Sequence, residues 1–64
     1  MIIKINGKYT KEFIDLFKAA YEQPNTDIYM SFCNEHMLIN DDVINLIEIS
    51  YGKEFLENLL NADA

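Results

Sequence analysis

The chain has 64 residues with one cysteine, five lysines, no arginine and eleven carboxylates, for a formal net charge of −6. A single thiol excludes an internal disulfide, the usual staple of small secreted scaffolds, so the fold must rest on an apolar core or on association. Half of the residues are hydrophobic, which excludes a disordered chain, and no apolar run approaches the ~20 residues of a membrane span.

The charge is unevenly spread. Residues 1–21 hold Lys4, Lys8, Lys11 and Lys18 against Glu12 and Asp15, a balance of +2. Residues 22–64 hold nine carboxylates against Lys53 alone, a balance of −8. Such a surface repels phosphate backbones, which argues against direct nucleic-acid binding, and attracts a basic surface on another protein. Excess charge also serves solubility.

"MIIKIN" is rich in isoleucine and alternates weakly, so it predicts a strand with Ile3 and Ile5 facing inward. Its five-residue start, "MIIKI", is too short for a signal peptide, and with the lone thiol this points to the cytoplasm. "NGK" turns the chain. Thr10 then suits a helix N-cap, Glu12 suits the first turn, and Phe13, Leu16, Phe17 and Ala20 recur at helical spacing, with Ile14 and Tyr21 beside them. "QPN" ends this helix, because the residue before a proline avoids helical geometry.

From Thr26 the pattern reads with a period of two. Ile28, Met30 and Phe32 point inward, and Tyr29, Ser31 and Cys33 point away from the helices. Alternation resumes in "HMLIN", with Met37 and Ile39 inward, so residues 26–40 predict a β-hairpin with its tip at Asn34 and Glu35. Asn40 or Asp41 caps the next helix, Asp41 and Asp42 occupy its first turn, and Val43, Leu46, Ile47 and Ser50 form its inward stripe, flanked by Ile44 and Tyr51. A break near Gly52 predicts a short last helix, "KEFLENLL", docking Phe55, Leu56, Leu59 and Leu60 as a lid.

The expected architecture is therefore a single α+β domain over residues 1–64, in the order β-α-β-β-α-α, with helices on one face of a three-stranded sheet. Thr10 to about Tyr51 resembles the histidine-containing phosphocarrier (HPr) family at the level of fold. "TKEFIDLFKAAYEQPNTDIYM" looks like that family's first helix and following strand, and "INDDVINLIEIS" looks like its second helix. The family's phosphorylated histidine would fall in Tyr9-Thr10-Lys11-Glu12 and its regulatory serine at Val43, so neither functional residue is present. The resemblance implies docking without phosphocarrier activity.

Cys33 and His36, the chain's only residues of their kinds, stand three apart with Glu35 between them and Asp41-Asp42 beyond. They are two of the four ligands that zinc takes, and no second Cys or His completes a nitrogen–sulfur set within one chain. A Cys-His-Asp nucleophile would need a pocket and oxyanion donors, and both glycines, Gly7 and Gly52, are isolated. The expectation is thus a non-enzymatic protein with no cofactor and no metal. It binds and inhibits or modulates a partner protein with a basic surface, in the manner of phage or mobile-element products that block nucleic-acid-handling or defence proteins. The expected contact residues are Tyr29, Asn34, Glu35, His36, Leu38, Asp41, Asp42 and Glu48. Tyr29 is the proposed anchor because alternation turns it outward. The alternatives are a degenerate HPr-like regulatory or docking protein without phosphocarrier activity and a homodimeric structural module.

Overall fold

The computed structural model describes residues 1–62. Asn6 and Gly7 both adopt positive φ, 52° and 79°, the pairing that a two-residue type I′ turn requires. The turn folds strand β1 (Lys4–Ile5) back onto β2 (Lys8–Tyr9), with Lys4 opposite Tyr9 and Ile5 opposite Lys8. The Lys4 ammonium sits 4.6 Å from the Tyr9 ring centroid. Thr10 continues the pairing, its N–H donating to the Ile3 carbonyl at 2.9 Å and its hydroxyl to the Ile2 carbonyl at 2.7 Å. The same hydroxyl accepts the Phe13 N–H at 3.3 Å and caps α1 (Lys11–Tyr21).

Three further helices follow: α2 (Thr26–Glu35), α3 (Asn40–Tyr51) and α4 (Lys53–Asn61). The expected three-stranded sheet and β-α-β-β-α-α order are therefore corrected to a mostly helical domain, β-β-α-α-α-α, with one two-stranded antiparallel sheet among the described residues. The physical reason begins in the hairpin. β1 is only two residues long and pairs with its own continuation, so a strand at residues 26–32 would have no established neighbour. Residues 26–35 have instead what a helix needs. The Asn25 side chain accepts the Asp27 N–H at 2.8 Å, Asp27 sits in the favourable first turn, and Tyr29, Phe32, Cys33 and His36 fall on one face. "NTDI", part of the stretch that resembles the phosphocarriers, lies at this helix start.

The consequence for burial is large. Ile28 and Met30, expected inward, are 47% and 59% exposed. Met37 and Ile39 are also exposed rather than inward, because "HMLIN" is a helix end and a linker. The Leu38 N–H donates to the Cys33 carbonyl at 2.9 Å and the Met37 N–H to the Asn34 carbonyl at 3.1 Å, the double bond pattern of a Schellman cap. Met37 occupies its left-handed position at φ 54°, where glycine is usual.

α3 starts one residue earlier than a cap at Asn40 would give and two earlier than a cap at Asp41. Ile39 is the cap residue, and its N–H donates to Asp42 Oδ2 at 3.1 Å. Gly52, at φ 96°, separates α3 from α4 at the expected break. α1 packs on α2 and α3, and α4 packs on α3. The buried core is Phe13, Phe17, Ala20, Leu46, Ile47 and Leu56. Aromatic rings extend it: Phe13 lies 5.5 Å from both Tyr9 and Phe32, Tyr21 lies 5.5 Å from both Tyr29 and Tyr51, and Tyr51 lies 4.9 Å from Phe55. Only Leu56 of the expected α4 lid is buried; Phe55, Leu59 and Leu60 are exposed.

Candidate functional site

α1 and α2 are joined by a short link through Pro24 and lie against each other along Phe13, Phe17 and Phe32. Beside this contact runs an open groove of about 510 Å³. Leu16 and Ala19 of α1 and Ile28 and Ser31 of α2 form its exposed lining, while Ala20 is buried and Phe32 half-buried beneath them. The small side chains at positions 19, 20 and 31 keep its middle open. Asp27 and Glu35 stand near the two ends of α2, Gln23 also lines the groove, and no lysine or histidine does. Lys18 of α1 is engaged elsewhere, with its ammonium 5.6 Å from the Tyr51 ring centroid.

The expected contact residues are divided by this architecture. Glu35 is exposed at the groove, and Asn34 beside it and Asp41 at the start of α3 are exposed as well. Tyr29 does not turn away from the helices. A helical period places it half-buried against Phe17 at 6.1 Å and Tyr21 at 5.5 Å, which corrects the outward orientation expected from alternation. Burial first, then the neighbouring Cys33 thiol and Tyr21, hold its phenol well above the ordinary pKa of 10.0.

His36 is likewise half-buried, edge-on to Phe13 at 5.2 Å and tilted over Phe32 at 4.6 Å. Leu38 packs against the core under the Schellman cap. Asp42 is spent on structure: one carboxylate oxygen accepts the Ile39 N–H, and the other receives the Tyr9 hydroxyl at a long 3.5 Å. Burial and the Asp42 charge raise the Tyr9 pKa. Glu48 lies apart from the rest, in a second groove of about 500 Å³ formed with Lys4, Lys8, Tyr9, Asn45 and Ile49.

Cys33 is half-buried on α2, and His36 is the half-buried C-cap residue of the same helix. Among the described residues no group of three or more His, Cys, Asp or Glu side chains converges as a metal site would require. No helix among them is long and apolar enough to cross a membrane.

Sequence reasoning missed Leu16, Ala19, Asp27, Ile28 and Ser31 as surface residues of one groove. The signal was the spacing of Tyr29, Phe32, Cys33 and His36, which uses the inner face of a helix and leaves Ile28 and Ser31 on its flank. No family model, curated protein or solved structure matches this chain.

Proposed function

We propose that this chain is a non-catalytic acidic protein that binds a partner protein across the α1–α2 groove and acts by occupying the partner's basic surface. The observation that carries this reading is the groove itself: a mostly apolar lining, a carboxylate near each end of α2, and no cation among the lining residues. An apolar centre with a charged rim is the anatomy of a protein interface. The negative charge adds to it, since Asp27 and Glu35 of the lining are exposed and the chain's net charge is −6. That charge steers a basic partner and speeds its encounter. A nucleic-acid-handling or defence protein presents such a surface, and covering it inhibits or modulates that protein. Affinity purification from cells that contain the protein, eluted with rising salt, tests the reading. The expected result is a stoichiometric basic partner that elutes as salt rises; recovery of no such partner at low salt contradicts it.

Homodimerisation is a second reading, favoured by α4. Phe55 and Leu59 are exposed there and Leu60 is 57% exposed, while the accessible surface of 4900 Å² exceeds the ~4,200 Å² expected for a chain of this mass. Sedimentation across a dilution series separates the two, because a dimer dissociates on dilution and a monomeric binder keeps one mass.

A further inference from the structure

We infer that the occupant of the α1–α2 groove is an amphipathic basic helix of the partner. The inference rests on the binding reading above and specifies what is bound. Three observations lead to it. First, both walls are helices, whose backbone N–H and C=O groups are satisfied internally, so no strand edge is available to pair with an extended segment. The one sheet of the described residues lies outside the groove lining. Second, the groove has the form that a third helix fills. It is an open, mostly apolar surface in which the small Ala19, Ala20 and Ser31 lie among the larger Leu16, Ile28 and Phe32, so a ridge of apolar side chains can pack across it.

Third, the charges fit a helix in both sign and spacing. Asp27 and Glu35 are eight residues apart on α2, about 12 Å at 1.5 Å per residue. A helix lying along α2 meets both with Lys or Arg side chains seven or eight positions apart, two of its own turns. Leucine-like anchors three or four positions apart then face Leu16, Ala19 and Ile28. The same two carboxylates disfavour an anionic membrane surface and a phosphate backbone.

The test uses the intact protein, labelled with nitrogen-15, and three amidated alanine-rich peptides of about 14 residues, a length that supports some helix in isolation. The first carries leucines three and four apart and lysines seven apart on one face. The second is the first with its central alanine replaced by proline. The third replaces lysine by glutamate. Amide shift perturbation and fluorescence anisotropy are read for each peptide, and again for Ser31→Lys, an exposed position in the groove where lysine is a good helix former.

The expected result is saturable binding of the first peptide, with shifts at Leu16, Ala19, Ile28 and Ser31 and about tenfold weaker binding to Ser31→Lys at unchanged circular dichroism. The second and third peptides should bind at least about tenfold less well. Equal binding of the helical and proline peptides overturns the helix inference and leaves charge-led partner binding standing. Shifts confined to α4 or to the β1–β2 hairpin overturn the groove as the seat. Binding of the glutamate peptide in place of the lysine peptides overturns both the inference and the reading beneath it. Failure of all three peptides overturns the inference, whereas the reading beneath it stands or falls on the salt-eluted partner.

Discussion

Two single residues carry local costs that substitution should relieve. Met37 holds a left-handed backbone, φ 54°, at the Schellman position while its side chain is 84% exposed and contributes little packing. A non-glycine residue pays roughly 1 kcal/mol there, so Met37→Gly should raise stability by about 0.5–1 kcal/mol in urea unfolding. The Ser50 hydroxyl is buried with no hydrogen-bond partner. Ser50→Ala removes that unsatisfied group and adds helix propensity, so stability should hold or rise by about 1 kcal/mol. The tyrosines give a pH dependence of defined sign. Burial, then the hydroxyl donated to Glu22 at 2.7 Å, raise the Tyr51 pKa well above 10.0, and Tyr29 is raised as well. The folded state therefore retains protons that the unfolded state loses above pH ~10. Stability from this source is full below that pH and declines as pH rises through the folded-state values. Denaturant midpoints should fall above pH ~10, and less steeply in Tyr51→Phe.

At the scale of elements, Thr10 is the joint between the hairpin and the helices, since one hydroxyl donates to Ile2 and accepts from Phe13. Thr10→Ala should cost about 1–2 kcal/mol by chemical denaturation, whereas Thr10→Ser should keep most of it. α1, α3 and the break at Gly52 were legible in the sequence because the Thr10 cap, helical spacing and a glycine marked them, although the α3 cap fell at Ile39 instead of Asn40 or Asp41. α2 was not. Its residues 28–33 satisfy both a period of two and one face of a helix, and the choice depends on what each face meets. Asn25 and Asp27 were the local evidence for a helix start, as Asn6-Gly7 was for a hairpin that uses up the first strand. The contact residues followed the element. Glu35 kept its exposure in either geometry, while Tyr29, His36 and Leu38 moved inward once residues 26–35 became helical. Most of the groove depends on how two helices meet, which no local pattern specifies.

The whole molecule is a flat body, 36 × 27 × 18 Å, with a small buried core and much apolar side chain left at its surface. A domain of this size has little stability to spare, so binding a partner should also protect it from unfolding. Most charge reversals confound binding with stability; Glu35→Lys separates them. Glu35 lies in the last turn of α2, which contains no basic residue, so a lysine there suits the helix dipole and should hold or slightly raise the melting temperature. The same change places a cation at one end of the groove. The most direct measurement is therefore the affinity of Glu35→Lys for the salt-eluted partner, beside its thermal unfolding curve. About tenfold weaker binding is expected, at an equal or higher melting temperature. Wild-type affinity in a folded Glu35→Lys protein would contradict it.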